Sequence, residues 1–256
     1  MAIEQGTVLV QRDGPVTTVT INRPEVRNAL DIETAARLFD AFQQFEADAS
    51  ASVAVLTGAG GSFCSGADLK ELATGRVYEP WATGERGPTR PFLCKPVIAA
   101  VSGHACAGGL GLALWCDLRV ADEDTTFAVL SRRWGVPMSE GTTVRLPRLI
   151  GMSRALDMLL TARPIHGREA VEIGLANRLA PRGTVLAVAH ELANEIAIFP
   201  SIAMRSDRHS AYVQWALPLE DALAKETELA AAARAREAVS GAARFASGAG
   251  RHGEKA

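Results

Sequence analysis

The stretch GSFCSGADLKEL, residues 61–72, and its counterpart SGHACAGGLGLALWCD, residues 102–117, decide how this chain is read. Each follows an apolar, strand-like segment and passes through a turn of small residues into a helical pattern. In the first the small residues are Gly66 and Ala67; in the second they are Gly103, Gly108 and Gly109. Small side chains let a ligand approach the main chain, and the first N–H groups of a helix have no partner within it. Two helix starts of this kind can converge on one oxygen. Donors fixed before charge develops stabilise an enolate or a tetrahedral oxyanion, by about 3–4 kcal/mol per donor where this has been measured in a protease. A single small-residue turn is as well explained by close packing, whereas two in succession point to a site.

Outward from these turns the pattern alternates between strand and helix. Val8 to Asn22 reads as two β-branched strands around the turn Arg12-Asp13-Gly14-Pro15. From Asp31, a plausible N-cap, the period becomes helical, with Ile32, Ala35, Leu38, Phe39, Phe42 and Phe45 on one face. Strands follow at Val53 to Thr57, Pro96 to Val101 and Leu118 to Ala121, with helices expected at Ala67 to Leu72 and Gly108 to Cys116. Recurrent strand, glycine turn and helix predict an α/β fold with repeated ββα turns. Gly75 to Thr89 lacks a period and reads as a long loop of the kind that forms lids. After about Pro200 an Ala-, Glu- and Arg-rich section has helical spacing through Leu217, Leu223, Leu229 and Ala233, with a tail that frays from Ser247. The expected division is a core over 1–195 and a helical C-terminal section over 196–256.

At 256 residues, 48% of them hydrophobic, the chain can bury one large core. A net charge of −2 supplies no basic field for nucleic acid or an anionic membrane, so an anionic ligand must be met by local cations. The N-terminal MAIEQG has no basic stretch leading into an apolar run, which argues against a secretory signal and for a cytoplasmic location. The apolar stretches at Val97 to Val101 and Leu110 to Trp115 are too short to span a membrane. Cys64, Cys94, Cys106 and Cys116 have neither zinc-knuckle nor CxxC spacing, so they are expected to be reduced thiols, with no metal site.

The motifs INRPEVRNAL, LTGAGGSFCSGADLKEL, KPVIAAVSGHACAGGLGLALWCDLRVA, LPRLIGMSRALDMLLTARPI and EAVEIGLANRL occur in order from about Val8 to Ala180. Together they resemble the crotonase (enoyl-CoA hydratase/isomerase) superfamily. The resemblance implies a spiral of ββα turns with a C-terminal helical section, and a homotrimer or dimer of trimers. It implies an acyl-CoA thioester as substrate, with coenzyme A part of that substrate and no separate cofactor. By resemblance, the N–H groups of Ala67 and Gly108 form the oxyanion hole. The stretches Arg27 to Ala29 and Ala67 to Leu69, including Asp68, match those that hold adenine and pantetheine, and Arg27 could reach a phosphate.

The resemblance fails where a hydratase carries its two glutamates. The first position is Gly111 and the second is Ser131, and neither can carry the proton. Hydration of crotonyl-CoA is therefore expected to be slow or absent, and restoring both carboxylates, Gly111→Glu with Ser131→Glu, to raise it. Some members place an aspartate at the position of Ser139; here the carboxylate is the next residue, Glu140. Glu140 is the candidate acid or base, with a helix cap near Thr142, or a partner for Arg132, Arg133 or Arg145, as the structural alternative. His104, Asp68 and Asp117 are read first as packing and backbone-holding residues. Two other functions compete with the enzyme. One is a non-catalytic acyl-CoA-binding protein. The other, a serine hydrolase using Ser65 or Ser131 with His104, lacks a GxSxG elbow.

Overall fold

The β-branched residues on either side of Gly14-Pro15 form the hairpin of β1 (Val8–Asp13) and β2 (Val16–Ile21), closed with Asp13 opposite Val16. The structure, a computed structural model, describes residues 6–75 and 87–248. Most of the loop expected at Gly75 to Thr89 and the end of the expected tail lie outside these residues. The chain divides into two compact units, Met1–Ala197 and Ile198–Ala256.

In the first unit the hairpin is followed by α1 (Ile32–Ala47), β3 (Val53–Gly58), α2 (Leu69–Leu72), β4 (Val97–Val101), β5 (His104–Cys106) and α3 (Gly108–Trp115). Next come β6 (Leu118–Ala121), β7 (Thr126–Ala128), α4 (Thr142–Ile150), α5 (Met152–Thr161), β8 (Ile165–His166), α6 (Gly167–Glu172), β9 (Arg178–Leu179) and α7 (Val185–Ala197). One sheet has the order β1-β2-β3-β4-β6-β9, parallel from β2 onward; a second has the order β5-β7-β8. The chain passes from β4 to β5 through Ser102-Gly103 and then into α3, and β6 and β7 repeat the step from first sheet to second. Earlier turns do the same with single bridges in place of a full second strand. After β3, Cys64 pairs with Ala105 and Ala67 with Leu30 before α2 begins. This is a spiral of ββα turns.

Parallel strands covered on both faces need apolar residues at every position. In β3, Ala54 and Leu56 face the larger core with Leu38 and Phe42 of α1 and Leu110 of α3, while Val53 and Val55 join Ile98, Ala100 and Val120 under α7. Helix α3 is buried at all eight positions, which is why its sequence lacks a polar face. Its Trp115 meets the Phe42 ring edge-on at 4.8 Å.

Three expectations shift. Asp31 does cap α1, accepting from Thr34 N at 2.7 Å, but Ile32 lies outside the buried face. Helix α2 starts at Leu69 rather than Ala67, because Ala67 pairs with Leu30 and Asp68 becomes the cap, accepting from Lys70 N at 3.0 Å. Leu217 is extended (φ −121°, ψ 147°) ahead of Pro218, which interrupts the helical spacing expected there.

The second unit contains α8 (Ser201–Val213), α9 (Leu219–Ala233), a wider helical turn at Arg234–Ala238 and α10 (Val239–Ala246). Glu237 from the wider turn accepts from Ile202 N and Ala203 N at the start of α8, which closes the unit on itself. Among the described residues no single helix is long and apolar enough to cross a membrane.

Candidate active site

Two main-chain ladders place the small-residue turns. Ser65 N donates to Arg27 O at 3.0 Å, Leu30 N to Gly66 O at 2.8 Å, and Asp68 N to Leu30 O at 2.8 Å. Arg27 and Asn28 both adopt left-handed backbone, φ 53° and 57°. The fully buried Asn28 holds that bend: its amide donates to Ala59 O at 2.9 Å, and its Oδ1 accepts from Arg23 N at 2.8 Å. On the other turn, Cys64 N donates to His104 O, Cys106 N to Cys64 O and Ala107 N to Ala128 O, all within 3.0 Å. These bonds use the N–H group after Ala67 and the one before Gly108, while Gly66 N, before Ala67, donates to Cys64 Sγ at 3.4 Å. Among the described residues, the N–H groups of Ala67 and Gly108 themselves meet no acceptor.

Ala107 aims the second donor, with φ 49° and ψ −123°, a conformation that costs an alanine about 1–3 kcal/mol. Gly66 lets the two turns touch. With φ +108°, an added Cβ there would lie 3.0 Å from Gly108 N and 2.9 Å from Ala107 Cβ. The geometry differs from the expected pair of helix starts. Only Gly108 opens a helix; Ala67 lies in a strand-like bridge, and its N–H is left over by parallel pairing.

Both alanine and glycine line a cavity of about 870 Å³, and so do Arg27, Ala29, Asp68, Leu69 and Glu140. The structure thus brings all seven sequence-predicted site residues to one cavity. The Asp68 carboxylate is engaged with the protein, capping α2 and pairing with Arg23 at 3.1 Å. Lys70 also lines the cavity, a cation that sequence reasoning passed over although it stands in the motif quoted first. The apolar wall includes Leu130, Trp134, Val136 and Met138.

Glu140 also lines the cavity, one residue before the left-handed Gly141 and α4. Its side chain is buried, with Oε1 accepting from the Thr142 hydroxyl at 2.5 Å and Oε2 from Ser139 N at 2.8 Å. It does not cap α4, whose cap, Gly141, has no side-chain bond. Arg145 reaches the main-chain oxygen of Glu140 at 2.9 Å, and Arg132 bonds to Leu159 O. The Glu140 side chain also occupies the space in front of Gly111. An added Cβ at Gly111 would lie 1.8 Å from Glu140 Cγ and 2.9 Å from its Cδ. The expectation that Gly111→Glu can simply restore a carboxylate is therefore corrected, since that side chain collides with Glu140.

Ser131 lines the cavity, and its hydroxyl donates to Met138 Sδ at 3.1 Å; that of Ser65 donates to Val26 O at 3.3 Å. Neither hydroxyl is bonded to a histidine, and His104 is spent on β5, which gives the serine-hydrolase reading no dyad. Asp117 holds backbone, accepting from Val97 N at 2.8 Å. None of the four cysteines is in a disulfide. Burial pushes Cys64 up to about 12, helped by the nearby Glu140 charge, and Cys106 up to about 11.

The sequence profile of the enoyl-CoA hydratase/isomerase family matches residues 11–249. The chain belongs to the crotonase superfamily. It is 36% identical over 235 residues to "Enoyl-CoA hydratase EchA19" of Mycobacterium tuberculosis, covering 89% of this chain and 88% of that protein. It is 34% identical over 231 residues to "Short-chain-enoyl-CoA hydratase" of Clostridium acetobutylicum, covering 88% of each. Among solved structures, enoyl-CoA hydratase EchA1 from Mycobacterium marinum superimposes with a TM-score of 0.89 at 34% identity, over 94% of this chain and 96% of that one. The crotonase spiral with its helical C-terminal region accounts for the ββα turns described above.

Proposed function

We propose that this crotonase-family enzyme acts on an acyl-CoA or enoyl-CoA thioester, with the N–H groups of Ala67 and Gly108 holding the thioester oxygen and Glu140 moving the proton. The observation that carries this reading is the presence, on one cavity, of two unbonded main-chain donors and a buried carboxylate. The cations Arg27 and Lys70 suit the phosphates of coenzyme A. Negative charge that develops on the thioester oxygen meets donors already in place. A carboxylate in a mostly apolar cavity can then take a proton from Cα, leaving the electron pair on the oxygen as an enolate, and return a proton to Cα or Cγ. With Ser131 in place of a second carboxylate, this chemistry favours proton transfer over addition of a positioned water.

But-3-enoyl-CoA tests it, through deuterium uptake at Cα in heavy water and formation of crotonyl-CoA. Glu140→Gln is expected to keep affinity for the ester within a few fold and to lower exchange by about a hundredfold or more, the scale of a general acid or base. Exchange at the native rate would remove Glu140 from the mechanism. A second reading, a non-catalytic acyl-CoA-binding protein, draws on the fact that both Glu140 oxygens already accept bonds from Thr142 and Ser139. Tight binding of the ester with no exchange in either protein supports that reading.

A further inference from the structure

Glycine is the poorest helix former after proline, so a glycine in the middle of a fully buried helix calls for a reason. Gly111 stands in α3 three residues after Gly108, and residues three apart share a helix face. A side chain at 111 would therefore project on the face of α3 that begins at the Gly108 donor. That space is filled from another element. Glu140, on the turn before α4, puts its Cγ 1.8 Å from the ideal Cβ position of residue 111, with Cδ at 2.9 Å and its own Cβ at 3.0 Å. No residue with a Cβ can stand at 111 while Glu140 holds this conformation, which its bonds to Thr142 and Ser139 fix.

We infer that Gly111 is a positioning residue, whose missing side chain is the socket through which Glu140 brings its carboxylate to the cavity wall one helical turn from the Gly108 donor. Positions 111 and 140 then hold one carboxylate between them, supplied here by the α4 turn rather than by α3. The inference rests on the reading of Glu140 as the proton carrier.

Five variants test it, Gly111→Ala, Glu140→Gln, Glu140→Ala and two doubles in the Glu140→Ala background, with but-3-enoyl-CoA exchange, ester affinity and melting temperature measured on each. Gly111→Ala should lower exchange as severely as Glu140→Gln while ester affinity stays within a few fold, and should lower the melting temperature. In a Glu140→Ala background the same Gly111→Ala change should instead raise melting, by about 2–4 °C, because only the helix preference remains. Gly111→Glu with Glu140→Ala returns the carboxylate from α3 and should recover part of the lost exchange. Native exchange in Gly111→Ala, beside loss in Glu140→Gln, would overturn the socket and leave the Glu140 assignment standing. Native exchange in Glu140→Gln would instead defeat the functional reading, and the melting comparison would still test the socket. If Gly111→Ala alone does not fold, recovery of folding in Gly111→Ala with Glu140→Ala supports the socket, and continued failure overturns it.

Discussion

At the scale of single residues, the site depends on what particular side chains leave unused. Ala67 and Gly108 offer only N–H groups, left unbonded where the surrounding pairing uses those of Asp68 and Ala107. Burial controls the thiols in a comparable way. Cys64 and Cys106 are pushed from an ordinary 9.0 to about 12 and about 11, because the interior disfavours a thiolate. A group whose folded pKa is raised binds more protons in the folded state, so its contribution is fully present below pH 9.0 and is lost as pH rises toward the folded value. Stability is thus expected to fall from about pH 9 up to about pH 11–12. Denaturant titrations across that range check it, and Cys64→Ala should flatten the fall. An unchanged slope in that variant would mean that other groups control alkaline unfolding.

At the scale of elements, the candidate site sits where turns of the spiral face one another. Arg119 shows how firmly they are held. It is fully buried at the start of β6 and donates to Cys116 O at 2.8 Å past the end of α3 and to Leu175 O at 2.7 Å after α6, fixing the helix that begins at Gly108. Because the α4 turn already fills the place of a residue 111 side chain, the two positions that lack a hydratase glutamate are not equivalent. Ser131 already carries a Cβ on the cavity wall, with its hydroxyl 3.1 Å from Met138 Sδ. Ser131→Glu alone is therefore expected to raise hydration of crotonyl-CoA above the native rate, itself expected to be slow or absent, by completing a pair with Glu140. Gly111→Glu alone should not. Measuring the loss of enoyl absorbance in both variants decides this, and a larger gain in Gly111→Glu would show that Glu140 swings aside freely.

At the scale of the whole molecule, the C-terminal unit carries more apolar surface than its own packing uses. Leu219, Val239 and Phe245 are 75%, 81% and 67% exposed, and Trp215 and Leu223 are also exposed in the same unit. Exposed apolar residues in such number mark an association surface. A self-associated form, a trimer or a dimer of trimers by resemblance to the family, is the expected state in solution. Sedimentation at micromolar concentration checks it. A monomer there would count against association, and Val239→Glu with Phe245→Glu should shift an oligomer toward smaller species.

The sequence by itself determined the recurrent strand, turn and helix units and the two small-residue turns, because strand alternation, helix period and turn chemistry are local properties written in neighbouring residues, while the spiral was implied by resemblance to the family. By resemblance to members with an aspartate at the position of Ser139, it also pointed to the next residue, Glu140, as the candidate acid or base. It could not show that Ala67 precedes its helix rather than opening it, because the pairing of Ala67 with Leu30 is a contact between distant segments. Nor could it show why position 111 is glycine. Read along the chain, Gly111 is a lost carboxylate; in the folded protein it is the space that Glu140 fills. Only tertiary structure decides such a relation, since two side chains compete for one volume only after α3 and the α4 turn have packed together.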